Sequence, residues 1–156
     1  MIEIINIRDS NSKETDLNLC ADIGKLSLPI FYDYNNLNDI LDIDTYNIYL
    51  AKNMNRVIGF GITSITEDNN IHIMSFGCHP EYRRKNIGTK ILNKIKKKNK
   101  DKLITLYVQS ENSVAIKFYK KNKFIEIEKV SNYYSDLEDN NAILMAFINN
   151  KYFDNT

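Results

Sequence analysis

A strand-like run, Ile71 to Cys78, and a helix-like one, Ile87 to Lys98, are joined by a loop that ends Arg83-Arg84-Lys85-Asn86-Ile87-Gly88. No other stretch constrains the fold as tightly. Where a strand feeds a helix through a tight turn, the first helical N–H groups have no intrahelical acceptor and point together at one place, where the helix dipole favours negative charge. The junction is a candidate anion cradle, suited to a diphosphate. Its pattern, Arg-x-x-Asn-x-Gly, is neither a phosphate loop, which needs Gly-Lys-Ser/Thr, nor the Gly-x-Gly-x-x-Gly of dinucleotide-binding folds.

The elements around it follow from periodicity. Ile2 to Ile7 alternates as a strand, and Arg8 to Glu14 reads as a loop or helix entry. Leu17, Cys20, Ala21 and Leu26 recur at helical spacing, in a helix that stops between Gly24 and Pro29. Leu37, Ile40 and Leu41 mark a second, short helix. Between them Leu28-Pro29-Ile30-Phe31-Tyr32 is too apolar for a solvated loop, so it packs under the fold or lines a pocket. Asn47 to Ala51, Val57 to Ile65 and Ile71 to Phe76 form a meander, with turns at Asn53 to Asn55 and Asp68 to Asn70. Beyond the helix of Ile87 to Lys98, Leu103 to Val108 is a strand and Asn112 to Tyr119 a helix. Phe124 to Val130 and Ala142 to Ile148 then complete the sheet. The order predicts one α/β domain over residues 1–156, layered about a mixed sheet.

Bulk composition excludes several classes. With 156 residues, 43% of them hydrophobic, the chain has material for one proper core. A net charge of +1 supplies no general field toward DNA or an anionic membrane. No apolar run approaches a membrane span, and Met-Ile-Glu-Ile-Ile-Asn-Ile lacks the basic region of an export signal, which together predict a cytoplasmic protein. Cys20 and Cys78 lie in apolar surroundings away from the two histidines, so reduced thiols and no metal site are expected.

This element order, with Arg-x-x-Asn-x-Gly at a strand-to-helix junction and Asn112-x-x-Ala115-Ile116-x-Phe118-Tyr119 in the next helix, resembles the GNAT superfamily of acetyl-CoA-dependent acetyltransferases. Ile73 to Cys78, Tyr82-Arg83-Arg84, Ile87 to Lys90, Leu106 to Gln109 and Asn132-Tyr133-Tyr134 resemble, within it, catalytic chains of the N-terminal acetyltransferase E group. The likeness covers nearly the whole chain, least over residues 8–26 and past 135. It implies the GNAT fold: about seven strands in a mixed, mostly antiparallel sheet, helices on both faces, central strands splayed. It also implies acetyl-CoA as acetyl donor, with CoA as product. The backbone from Arg84 through Lys85, Asn86, Ile87 and Gly88 to Thr89 would hold the pyrophosphate, and Arg83 and Arg84 would add charge. Phe76, Gly77 and Cys78 would run along the pantetheine, and Asn112 would contact it. The family has glycine where this chain has Asn86, and asparagine is among the residues that best tolerate positive φ.

In the resembling family a tyrosine on the strand before the pyrophosphate loop and a histidine on the next strand hold a water that takes the proton. Here those positions carry His72 and Tyr107, the same side chains exchanged. If the two strands are neighbours that splay at the site, the residues face each other across the gap, with His72 as base and Tyr107 as its partner. A weak base suffices for an α-amino group, since its pKa of about 7.7 to 8.0 leaves roughly a quarter neutral, against about one lysine in a thousand. Tyr119 occupies the family's place for a phenol that protonates the departing thiolate, and a backbone N–H near Cys78 would meet the oxyanion. Cys78 as a nucleophile is disfavoured, no base or cation being evident beside it.

Leu28, Pro29, Ile30 and Tyr32 align with the family's substrate loop and Tyr133 and Tyr134 with the opposing tyrosine pair. Together they imply a narrow apolar slot for an N-terminal peptide that begins with methionine and a hydrophobic residue. The alternatives are a GNAT enzyme for lysine or a small amine, and a non-catalytic subunit of a ribosome-associated N-terminal acetyltransferase complex. The lysines from Lys90 to Lys102 read as a solvated helix face, with contact to ribosomal RNA as the other reading.

Overall fold

β-branched and aromatic runs, separated by turns rich in Asn and Asp, fold into seven strands, and four amphipathic runs between them fold into helices. The structure, a computed structural model, describes residues 1–149. In chain order it contains β1 (Ile2–Asn6), a 3-10 turn (Ile7–Asp9), α1 (Lys13–Ser27), α2 (Tyr34–Leu41), β2 (Tyr46–Asn53), β3 (Arg56–Ile65) and β4 (Ile71–Cys78). A second 3-10 turn (Pro80–Tyr82), α3 (Ile87–Lys98), β5 (Leu103–Gln109), α4 (Ser113–Lys121), β6 (Ile125–Val130) and β7 (Ala142–Ile148) follow. The strands form a mixed sheet in the order β1-β2-β3-β4-β5-β7-β6. The pairings β1–β2, β2–β3, β5–β7 and β6–β7 are antiparallel, and β4–β5 is parallel. This is the α/β, mostly antiparallel architecture predicted from the element order.

Contacts within the chain cluster in two compact units. The first comprises Met1–Ile65 and Met74–Lys98, the second Thr66–Ile73 and the chain from Asn99 on. The last seven residues of the predicted domain, 150–156, lie outside the described ones.

In the first unit Leu17, Cys20 and Ile23 of α1 and Leu37 and Ile40 of α2 pack with Ile48, Leu50, Phe60 and Ile62 of β2 and β3. Leu26, predicted on the inner stripe of α1, is 63% exposed instead. It lies nine residues past Leu17, about two and a half turns, and so emerges on the opposite face. Asp33 and Asn36 cap α2 reciprocally, the Asn36 N–H donating to Asp33 Oδ1 at 2.8 Å. Arg8 closes the far end, its guanidinium donating to the carbonyls of Leu41, Ile43 and Tyr46. Ile87, Ile91, Leu92 and Ile95 are the buried face of α3. Gly59 of β3 is required where they land, because a Cβ there would sit 2.9 Å from Ile87 Cγ2 and 3.2 Å from the Gly77 carbonyl oxygen.

One charged pair is enclosed in this unit. Lys52 Nζ lies 3.0 Å from Asp16 Oδ2, with side-chain exposures of 8% and 0%. The Ser10 hydroxyl donates to the same carboxylate oxygen at 2.5 Å. Burial in apolar surroundings, then the Asp16 charge, push the neighbouring Cys20 thiol far above its usual range.

In the second unit β5 alternates: Ile104, Leu106 and Val108 are buried, while Leu103, Thr105, Tyr107 and Gln109 are half-buried. It pairs along its whole length with β7, from Leu103 opposite Ile148 to Gln109 opposite Ala142. Asn70 ties the start of β5, its side-chain oxygen accepting from the Leu103 N–H at 3.0 Å. Phe124 stacks at a tilt on Phe147 and edge-on with Tyr119 of α4. Among the described residues no helix is long and apolar enough to cross a membrane, and no group of three His, Cys, Asp or Glu side chains is placed to hold a metal.

Replacing Lys52 with Met removes the cation but leaves the buried carboxylate. The expected loss of stability is about 3–5 kcal/mol, read by equilibrium denaturation.

Candidate active site

In the first unit the predicted anion cradle is built by backbone conformation. Arg83 is extended, while Arg84 (φ 69°) and Asn86 (φ 59°) are both left-handed. Two turns of that hand within three residues fold the chain sharply into α3. The Asn86 carbonyl accepts from the Lys90 N–H at 3.0 Å, so α3 starts there and its first-turn N–H groups precede any acceptor within the helix. The left-handed state of Asn86 matches the sequence expectation. That of Arg84 was not legible, since arginine has no short polar side chain to support the conformation, which costs about 1–2 kcal/mol for such a residue. Arg83, Arg84, Lys85 and Asn86 are exposed, and Gly88 and Thr89 half-buried. Among the described residues no carboxylate pairs with Arg83 or Arg84. Lys85 Nζ instead lies 5.3 Å from the centroid of the Tyr82 ring.

The strand end behind the loop is tightly held. A Cβ on Gly77 would lie 2.9 Å from Phe60 Cε1, so only glycine lets β4 pass that ring. The His79 N–H donates to the Ile58 carbonyl at 2.8 Å. Phe76 and Cys78, half-buried, flank Gly77. Burial raises the Cys78 thiol pKa and Arg83 lowers it by less, so the thiol stays protonated at neutral pH. A cation thus does stand near Cys78, contrary to the sequence reading. Side-chain reach brings it there: Arg83 is five residues away and past a turn.

The apolar loop between α1 and α2 divides. Leu28 and Tyr32 pack against the core of the first unit, and burial raises the Tyr32 phenol pKa. Pro29 and Ile30 are exposed, Ile30 by 54%. Phe31 folds back on α1, its Cβ 3.0 Å from where a Cβ on Gly24 would lie.

In the second unit the structure gathers an aromatic row. The His72 and Tyr107 rings meet edge to face with centroids 5.4 Å apart. Tyr107 stacks on Tyr133 at 4.2 Å, and Tyr133 meets Tyr134 edge-on at 4.8 Å. Register corrects one detail of the sequence reading. His72 pairs with Thr105, inside the hydrogen-bonded stretch Ile71–Ile73, and not directly across a gap from Tyr107. The two rings meet diagonally because positions 105 and 107 share a face of the pleat. Thr105 is the residue the sequence reading missed: its Oγ1 lies 2.8 Å from His72 Nδ1. The alternation of β5, which puts it on the face of Tyr107, was the available signal. Burial lowers the His72 pKa below its ordinary 6.5.

Burial, then Tyr133 and Asp139, push the Tyr134 phenol up to about 12. Tyr119 is raised further, by burial and then by Tyr134, and its ring packs edge-on with Phe118 and Phe124. The ring therefore sits inward, and its hydroxyl keeps its proton at neutral pH. Asn112 caps α4, its Oδ1 accepting from the Ala115 N–H at 3.1 Å, which leaves its amide donors for other partners.

With both thiols raised, the folded protein is expected to react with iodoacetamide at pH 7.5 more slowly than a free cysteine. Cys20 should become reactive only on unfolding, as followed by mass spectrometry in native and denaturing buffer.

The sequence pattern of the acetyltransferase (GNAT) family matches residues 17–124. An N-alpha-acetyltransferase of Sulfurisphaera tokodaii is 30% identical, over 89% of this chain and 91% of that protein. N-alpha-acetyltransferase 50 of Danio rerio is 32% identical over 77% of this chain and 75% of its own length. Among solved structures, Arabidopsis thaliana Naa50 in complex with the bisubstrate analogue CoA-Ac-MVNAL superposes with a TM-score of 0.75 at 24% identity, covering 94% of this chain and 98% of that one. The ribosomal-protein-S18-alanine N-acetyltransferase of Escherichia coli does so with a TM-score of 0.79 at 20% identity, covering 94% and 93%. The fold is therefore the GNAT fold. Matched across residues 17–124 of 156 and akin to curated N-alpha-acetyltransferases over most of its length, the chain belongs to the acetyltransferase (GNAT) family and is an acetyl-CoA-dependent N-acetyltransferase.

Proposed function

We propose that this enzyme acetylates the α-amino group of protein N-termini, with preference for chains that begin with methionine and a hydrophobic residue, by direct attack in a ternary complex. The relatives named as N-alpha-acetyltransferases support the α-amino acceptor. The half-buried imidazole of His72, set against the Tyr107 phenol, carries this reading. A base with pKa below 6.5 is neutral at cellular pH and can take a proton from an amine that is partly deprotonated already. A lysine acceptor would ask far more of it. The exposed Ile30, the half-buried Leu28 and the tyrosine pair Tyr133 and Tyr134 supply apolar and hydroxyl groups of the kind a hydrophobic peptide start needs.

Acetyl-CoA supplies a thioester carbonyl and a thiolate leaving group. The left-handed turn at Arg84 and Asn86, the first-turn N–H groups of α3 and the guanidinium groups of Arg83 and Arg84, which pair with no carboxylate among the described residues, fit a diphosphate. His72 removes the amine proton as the C–N bond forms, with Tyr107 as its partner. The Cys78 backbone N–H receives the oxyanion charge. Tyr119, kept protonated by burial, returns a proton to the sulfur as the C–S bond breaks.

Three outcomes are expected. His72→Phe lowers kcat by about 10²–10⁴ with little change in acetyl-CoA affinity. In the parent enzyme the rate rises with pH through a limb below 6.5, because the base must be neutral and its pKa is depressed, and this limb disappears in the variant. An unchanged pH–rate profile would remove His72 from the mechanism. By calorimetry, Asn86→Gly leaves acetyl-CoA affinity within about threefold, whereas Asn86→Val, β-branched where φ is 59°, weakens it by about tenfold. Turnover on a short Met-Leu peptide should far exceed that on the same peptide with a blocked N-terminus and a free lysine; the reverse order would assign a lysine acceptor.

A further inference from the structure

Thr105 lies outside the motifs that define the site, yet it is the residue bonded to the imidazole. We infer that Thr105 is a positioning residue that holds His72 in the tautomer protonated at Nδ1, leaving the Nε2 lone pair as the base. The inference rests on the reading of His72 as the proton acceptor. His72 Nδ1 and Thr105 Oγ1 are 2.8 Å apart, and the same hydroxyl lies 3.5 Å from the Ile71 carbonyl oxygen. A threonine hydroxyl has one proton to give and can also accept. With the Ile71 carbonyl as an acceptor for that proton, the bonds run in one direction: Nδ1–H donates to Oγ1, and the hydroxyl donates to the carbonyl. Parallel pairing of His72 with Thr105, flanked by the buried Ile71, Ile73, Ile104 and Leu106, keeps the two side chains on one face and in reach.

The arrangement has a consequence for the proton transfer. When Nε2 takes a proton, the Nδ1–H bond to Thr105 becomes charge-assisted and supports an imidazolium in a site whose burial disfavours charge. The titratable ring lying against His72 is Tyr107. Burial is the cause of the lowered His72 pKa. The Thr105 hydroxyl is the polar group that opposes this burial by supporting the imidazolium.

The second histidine provides an internal reference. His79 Nδ1 accepts from the Glu81 N–H at 3.2 Å, which fixes its proton on Nε2. The chain has two histidines, so they should appear in ¹⁵N spectra at pH 8 as one ring of each tautomer. In Thr105→Val, His72 should lose its Nδ1–H signature while His79 keeps its own. The variant's kcat should fall about ten- to a hundredfold, the factor that a hydrogen bond to a charged group represents. Its acid limb should move to lower pH, since the imidazolium has lost support, with KM for acetyl-CoA unchanged. Thr105→Ser, which keeps the hydroxyl, should restore tautomer, rate and limb. If Thr105→Val folds, by an unaltered melting transition, and keeps both the tautomer and the limb, the inference is overturned. Should the tautomer shift while His72→Phe leaves the pH profile intact, Thr105 holds the ring but His72 is not the base, and the functional reading fails instead.

Discussion

Three residues of parallel pairing, Ile71–Ile73 against Ile104–Leu106, set His72 against Thr105 and Tyr107. Paired positions share a face, so His72 falls beside Thr105 and, diagonally, against Tyr107. The register is held by burial: Ile71 and Ile73 on β4 and Ile104 and Leu106 on β5 are all at or below 4% exposure. A slip of one residue would turn His72 into that apolar layer and bring isoleucine side chains to the opposite face, so packing enforces the register. The antiparallel pairing of β5 with β7 anchors the same strand on its other side. The His72 imidazole is thereby mounted on the sheet itself, where positions are more exact than on a loop.

The first unit solves a different problem, that of presenting backbone N–H groups outward without losing the chain's path. Two left-handed residues are needed within three positions, and neither is glycine. The strain is sustained by what lies on either side. Behind the loop, Gly77 packs against the Phe60 ring and the His79 N–H is bonded to β3; ahead of it, the buried face of α3 is seated over Gly59. Local strain in a loop is stable when its flanks are over-determined in this way. Elsewhere in the unit the enclosed Asp16 and Lys52 join α1 to β2 through a pair that only tolerates its own geometry.

Much of the fold was legible because hydrophobic period and turn chemistry agree along this chain. Helix α3 and strand β7 were read to the residue, and the other elements to within a few. The failure at Leu26 is instructive: three matched positions in α1 suggested a fourth, but at nine residues' distance the helix has turned its back. In the site, Asn86 could be foreseen because asparagine tolerates positive φ for a chemical reason, whereas Arg84 adopts it only because the loop's ends are fixed. The cation beside Cys78 was missed for a similar cause, since reach around a turn is invisible in sequence spacing.

The sequence by itself determined the family, the element order and the residue types available for each task. It put a histidine on one strand, a tyrosine on the next and a polar, glycine-poor loop before a helix, because period and composition are local properties of the chain. Tertiary structure alone decided which of those residues meet. Register between β4 and β5 is set by burial across strands more than thirty residues apart, and it is this that gave His72 a hydroxyl at Nδ1, a phenol at its edge and a depressed pKa.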